Sequence, residues 1–528
     1  MSAGADPWAD PVVGALPGAV SSLRTTGDNP WATSSQTASP ILGQSSDSQH
    51  TSSPKAKSEG TESQESGRGQ KNLSSSALGE ATWGEYGLPK LGHAAAKYWP
   101  MKKDFTSLNN GSYGHCPKPV CDTYKLLQDR QEESPDLFRR TMMKELLLDS
   151  CSKVAKLLNC DAADVAMISN ASTGTNAVLR DIVYSTGDAI LYLSTGYGAV
   201  ERNIQYLIDT EKKRGVELHK VAVPVRLPST HDEIMKSFGR TINEAQSQGK
   251  RIRVGVVDTI CSVPGAKMPW EQMVKHLRDK QILSLVDGAH GIGQIPIDLS
   301  TVDPDFFVSN CHKWFYAHRG CAVFYTAKRN KGIQRASLPI GWDYESDPSP
   351  ESNTWWAQWA TPGTIDNSSF MTVSAALDFR QMLGGEERIM AYKRELAIQG
   401  GIAASRILGT SVMDVPGNQL TAAMVNVRLP IVFPPTSSGE GRDKGREWDP
   451  ANDLMWIRGG HNYFFETQMN EFKLATMVFA HDGKIWARFS AEVYLEVSDF
   501  EYAARVLLEI CRRINAGEAL RKDSSATA

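Results

Sequence analysis

The sequence predicts an α/β fold: a mainly parallel sheet flanked by helices, with a smaller α+β domain after it. Three observations carry this. Six short runs are nearly all apolar and rich in Val and Ile, which suits strands buried on both faces of a parallel sheet. Amphipathic stretches alternate with them, as crossover helices must. After Pro362 the pattern changes to long helices and alternating, half-buried strands, the pattern of a second unit.

In chain order, residues 1–85 are rich in Ser, Thr, Gly, Gln, Asp and Pro and poor in large apolar side chains. Such a segment cannot bury enough surface to offset its ordering entropy, and it reads as a disordered tail. The larger domain, 86–365, carries strand runs at Asp164–Ser169, Ala189–Ser194, Ile252–Asp258, Ile282–Asp287, Asp305–Ser309 and Cys321–Thr326. Helices are predicted over Ala199–Arg214, where Val200, Ile204, Leu207 and Ile208 share a face, and over Thr230–Gln246, where Ile234, Phe238 and Ile242 do. The smaller domain, 366–516, opens with helices over Ala375–Leu383 and Glu386–Leu408. Strands over Ala422–Pro430 and Lys484–Tyr494 follow, and a helix over Asp499–Ile514 closes it. Pro434–Pro450 is polar and Gly-rich and reads as a surface loop. Residues 517–528 form a second tail.

At 528 residues the chain exceeds what one hydrophobic core usually supports. A net charge of −3 argues against a polycationic nucleic-acid binder. No apolar run approaches the roughly 20 residues that a membrane-spanning helix needs. The eight cysteines are scattered with no CxxC pair, so they read as reduced thiols rather than a disulfide framework or a zinc site. Residues 1–20 hold Asp6 and Asp10 but no Lys or Arg, unlike a secretory or mitochondrial leader. The cytoplasm is therefore the expected compartment.

In open α/β sheets ligands sit beyond the carboxyl ends of strands. Beyond Ile168 comes SNASTGTN, where Ser172, Thr173 and Thr175 lead into a helix. Hydroxyls and free N–H groups at a helix start suit a phosphate, although the same residues serve as an ordinary cap. The run ending in Asp287 continues into DGAH. An acid at a buried strand end needs a cationic partner, or else caps the next turn. The run ending in Ser309 continues into NCHKW, which places Lys313 where desolvation would free its amine for Schiff-base formation. A snorkelling surface lysine is the plainer alternative. Phosphate cradle, acid and lysine in this order are what pyridoxal phosphate requires: an anchor, a partner for the ring nitrogen, and an amine for the aldehyde.

The segments NASTGTN, VDGAHGIGQIPIDL, DFFVSNCHKWFYAHRGCAVFY and ATPGTIDNSSF resemble the class V branch of fold-type-I pyridoxal-phosphate enzymes. LNNGSYGHCPKPV and HKWFYAHRG are similar to its isopenicillin N epimerase-like group. The resemblance covers about Tyr98 to Ile514. It implies a seven-stranded sheet, pyridoxal 5′-phosphate as cofactor, and a homodimer acting on a small amino acid, with no nucleic acid or membrane partner. It implies Lys313 as the Schiff-base lysine, Asp287 as the ring-nitrogen partner, and His290 near the ring hydroxyl. Ser172, Thr173 and His312 would hold the phosphate, and Thr364 would reach the phosphate of a neighbouring subunit. Tyr197 would stack on the ring, and Arg488 and Asn110 would contact substrate.

Four of these residues keep plainer alternatives. Tyr197 reads equally as a core aromatic, Arg488 as a surface charge, Asn110 as a turn residue and His312 as a core histidine.

The resemblance further implies a carbon–sulfur lyase that cleaves hercynylcysteine sulfoxide to ergothioneine, pyruvate and ammonia, with Tyr197 as acid to the leaving sulfur. Amino-acid epimerisation or transamination is the alternative, and desulfuration a second. Desulfuration needs a nucleophilic cysteine near the substrate, and neither the stretch around Thr361–Phe370 nor that around Arg488 contains one. A non-catalytic binding module stays open, since a fold does not fix a function. TWWAQWATPG (Thr354–Gly363) offers aromatic walls for a trimethylammonium group, or else core packing.

Overall fold

The computed structural model describes residues 88–334, 355–360, 362–431, 461–516 and 518. The predicted tail over 1–85 and the loop Pro434–Pro450 lie outside them, as does the tail over 517–528 apart from residue 518.

Seven strands form the large sheet: β1 Val165–Ile168, β2 Asp188–Leu193, β3 His219–Val223, β4 Arg251–Asp258, β5 Leu283–Asp287, β6 Phe306–Asn310 and β7 Ala322–Thr326. Their order is β1-β7-β6-β5-β4-β2-β3. β7 is antiparallel to both neighbours and every other pairing is parallel. The α/β expectation is thus met. The apolar-run criterion misses only β3. That strand lies at the sheet edge, and its sequence HKVAV alternates in burial, with Lys220 reaching Glu201 at 2.9 Å.

The helices that matter here are α1 Asn110–Tyr113, α2 Lys118–Glu133, α3 Met143–Leu157, α4 Ala171–Asp181, α5 Gly198–Lys213, α6 His231–Ser247, α7 Trp270–Asp279, α8 Val373–Met382, α9 Gly385–Leu408 and α10 Val497–Asn515. Local chemistry sets their starts. Asn170 accepts from the Thr173 N–H at 2.8 Å to open α4. Thr230 and Glu233 cap each other to open α6. Among the described residues no helix is long and apolar enough to cross a membrane.

A second, antiparallel sheet holds β8 Met424–Arg428, β9 Met477–His481 and β10 Lys484–Ser490 in the order β9-β10-β8. The long helix α9 packs on α10 and on β8. The N-terminal segment is stitched to this part of the chain. Thr106–Ser107 pairs in parallel with Leu474–Ala475, and Ser490 N–H donates to Leu108 O at 2.7 Å. That stitching carries Asn109–Ser112 onto the end of β10, at the edge of the large sheet's carboxyl ends.

Candidate active site

β4 and β5 end side by side, with Asp258 paired to Asp287 in register. Both carboxylates line a cavity of about 160 Å³, with Ser112, Ser172, Thr175, Tyr197, Ser262, His290, Asn310, His312 and Lys313 around it. Burial pushes the Asp287 carboxyl up, opposed by the Ala289 N–H at 3.0 Å and by the Lys313 charge. Burial and the neighbouring Asp287 push Asp258 well above the carboxylate range. Two adjacent buried acids do not both ionise without a cation between them.

Lys313 supplies one cation and is itself poised to lose it. Its Nζ lies 3.1 Å from His290 Nε2, while Trp314 Nε1–H donates to His290 Nδ1 at 3.2 Å. Nδ1 is therefore the acceptor nitrogen, and a neutral His290 presents Nε2–H to the lysine. Burial keeps His290 neutral, far below its usual range. Burial, with the Arg488 charge second, lowers Lys313 to about 8. The sign follows directly: the nucleophilic form is the neutral amine, so Lys313 gains reactivity as pH rises to about 8 and is saturated above it. Reductive amination of the cofactor-free protein by pyridoxal phosphate is expected to level off near that pH; a rate still climbing at pH 10 would show an unshifted lysine.

At the phosphate end, Asn170 and Asn310 already occupy the Thr173 and Ala171 N–H groups. The Thr173 hydroxyl is bonded to Asn170 and Ser169 and lies off the cavity wall, whereas Ser172 and Thr175 face it. The Thr175 hydroxyl is buried without a partner, a group that a bound anion would satisfy. His312 Nδ1–H donates to Cys321 O at 3.0 Å, and burial lowers His312 to about 4. Anchor, acid and amine thus surround one cavity, so the residues present fit pyridoxal phosphate.

The substrate side differs from expectation at two residues. Arg488 is fully buried and does not itself line the cavity. It stands behind the wall, with Nη1 donating to Ser262 O at 2.6 Å and Nη2 to Asn109 Oδ1 at 2.8 Å and Ser112 Oγ at 3.1 Å. Asn110 also turns away from the cavity: its amide donates to Lys313 O at 3.0 Å and to Glu492 Oε1 at 2.7 Å. Gly114 follows with φ +69°, and a Cβ there would lie 1.8 Å from His312 O. Only glycine allows this turn to close on the lysine segment.

Tyr197 precedes α5, is 49% exposed and lines the cavity, so it is no core aromatic. Thr364 is exposed and lies off the cavity wall. The tryptophans of the 354–363 stretch pack as core: Trp355 and Trp359 sit 5.6 and 4.7 Å from the Phe324 ring of β7. They offer no wall to a substrate cation. Sequence reasoning missed Asp258, Asn109, Ser112 and Ser262. Asp258 ends the predicted strand Ile252–Asp258, so the reasoning that singles out Asp287 applies to it as well. Asn109 and Ser112 depend on contacts with Arg488 almost 380 positions away, and Ser262 on one 226 positions away.

Residues 139–435 match the model of the Aminotransferase class-V family. The chain is 32% identical over 442 residues to the L-cysteine desulfhydrase-like protein lolT2 of Epichloe uncinata, covering 79% of this chain and 93% of that one. It is 30% identical over 423 residues to the hercynylcysteine sulfoxide lyase of Schizosaccharomyces pombe, covering 80% and 98%. Among solved structures it is similar to the cystine C-S lyase C-DES in complex with cysteine persulfide, with a TM-score of 0.61 and 16% identity over 77% of this chain and 98% of that one.

Proposed function

We propose, since this chain belongs to the Aminotransferase class-V family, that it is a pyridoxal-phosphate-dependent lyase cleaving the Cβ–S bond of a cysteine-derived amino acid. One observation carries the reading. Lys313, with its lowered affinity for protons, shares a single cavity with Asp287, Ser172 and Thr175, and none of the eight cysteines lines that cavity. A persulfide-forming desulfurase would need a thiol there. Among the described residues Lys313 is also the only lysine lining the cavity, which disfavours two-base epimerisation.

When bound, pyridoxal phosphate supplies the electron sink for charge developing at the substrate Cα. Asp287 would hold the ring nitrogen, and Ser172, Thr175 and His312 would hold the phosphate. Lys313 Nζ would hold the cofactor's aldehyde carbon and would carry the proton at the substrate Cα. Tyr197, half exposed on the cavity wall, gives a proton to the departing sulfur. Arg488 projects its charge through Ser112 and Ser262 toward the substrate carboxylate. Thr364, exposed at the surface, is assigned to the phosphate of a second copy in a homodimer.

The finer reading is hercynylcysteine sulfoxide as substrate. The identity with the Schizosaccharomyces pombe lyase supports it. Elimination would release a sulfenic acid and aminoacrylate; water converts the aminoacrylate to pyruvate and ammonia, and two thiol equivalents reduce the sulfenic acid to ergothioneine, leaving a disulfide and water. Parallel incubation with hercynylcysteine sulfoxide, cysteine and isopenicillin N tests both levels. Pyruvate from the sulfoxide at a kcat/KM well above that for cysteine is expected. Sulfide from cysteine alone would remove the finer reading, and an epimer without pyruvate would remove the lyase.

Replacing Arg488 separates binding from chemistry. Loss of a charge-assisted contact costs about 1.5–3 kcal/mol, or about tenfold to a hundredfold in KM. Because the Arg488 charge also lowers Lys313, Arg488→Gln is expected to move the lysine's reactivity profile to higher pH. A raised KM with an unmoved profile would place Arg488 away from the lysine.

A further inference from the structure

Cys116 and Cys121 flank the start of α2, whose cap is Pro117. These are the positions before the cap and four residues into the helix, which meet in space and usually carry an apolar pair. Here both are thiols. Cys116 Sγ points to Pro117 O at 3.7 Å, and Cys121 Sγ to Cys116 O at 3.6 Å. Both line one cavity of about 260 Å³ with Trp99, His115 and Arg319. The cavity is separate from the lysine site, since the two share no lining residue.

An apolar pair would keep both sulfurs neutral and inert. This pair is asymmetric. The Cys116 thiol beside it, donating to the Cys121 sulfur, lowers Cys121 to about 7, with Lys125 and Arg319 assisting against burial and Asp122. The same contact, together with burial, pushes Cys116 up, so it keeps its proton. Cys160 is the internal contrast: it is equally part-exposed, yet burial and two aspartates push it up to about 12. A reactive thiol beside a resolving thiol is the arrangement of an oxidisable dithiol.

We propose that Cys116 and Cys121 form a redox-active dithiol that peroxide converts to a reversible disulfide. The Cys121 thiolate attacks a peroxide oxygen, giving a sulfenic acid and one water. The Cys116 sulfur then displaces the hydroxyl, forming the S–S bond and a second water. Two thiols lose two electrons and two protons, and the peroxide takes them up. The bond forms two residues from Gly114, whose carbonyl is held by Arg319 at 3.1 Å.

The test is peptide mapping of the full chain treated with hydrogen peroxide, alkylated without reductant. A peptide linking Cys116 to Cys121 that dithiothreitol releases is the expected product, with Cys160 alkylated as in untreated protein. In Cys116→Ser, Cys121 is expected to stop at a dimedone-reactive sulfenic acid. Two free thiols after treatment would overturn the proposal. So would oxidation of Cys121 to the same products in wild type and Cys116→Ser, or oxidation of Cys160 at the same rate as Cys121. None of these readouts depends on which substrate the enzyme takes.

Discussion

Lys313→Ala is expected to lose about four orders of magnitude in turnover, the upper end of what a positioned acid–base group supplies, with covalent attachment of the cofactor lost as well. The geometry gives the reason. Among the described residues Lys313 is the only lysine lining the cavity that holds Asp287 and Asp258, so none of them offers a second amine there. Borohydride reduction followed by mass mapping provides a readout independent of turnover. Wild type should carry the cofactor adduct on the Lys313 peptide, and the variant should carry none. An adduct on another lysine in wild type would sink the assignment, and full turnover by the variant would do so from the kinetic side.

What the sequence made legible follows from which energies are local. Strands buried on both faces must be apolar at every position, and β1, β2, β4, β5, β6 and β7 could be read that way. β3 and β9 could not, because an edge strand and a half-exposed strand carry Lys220 and His481 among their apolar residues. Asp287 and Lys313 stand at strand ends, and the sheet topology alone brings such ends together. Arg488 was expected at the substrate, but its placement behind Ser112 and Ser262 depends on the N-terminal segment crossing to β10. No periodicity records that crossing. Lys393 on α9 and Arg380 on α8 are both buried, and neither is among the residues singled out from the sequence.

That buried cluster carries the second large expectation. Glu492→Ala should destabilise the protein by about 3–5 kcal/mol, the cost of breaking a buried ion pair by removing one partner. Lys393 Nζ lies 3.9 Å from Glu492, and both are fully buried. Lys393 would be left with the Gly293 carbonyl at 2.8 Å and the more distant Trp314 carbonyl. Glu492 also accepts from Tyr316 Oη at 2.6 Å and from Asn110 at 2.7 Å. These contacts bear on catalysis, because Asn110 holds the Lys313 carbonyl and Tyr316 keeps a φ of +74° three residues later. Such a conformation costs a bulky residue about 1–3 kcal/mol and persists only where its surroundings enforce it.

The two roles come apart in a double variant. Glu492→Leu with Lys393→Met removes both charges and should recover much of the stability, measured as the urea midpoint at constant slope. It should not recover kcat, because Asn110 and Tyr316 still lack their acceptor and the lysine segment loses its tether. If kcat returned along with the midpoint, Glu492 would be holding the fold together without positioning Lys313. If neither returned, the pair would act through something other than its charges.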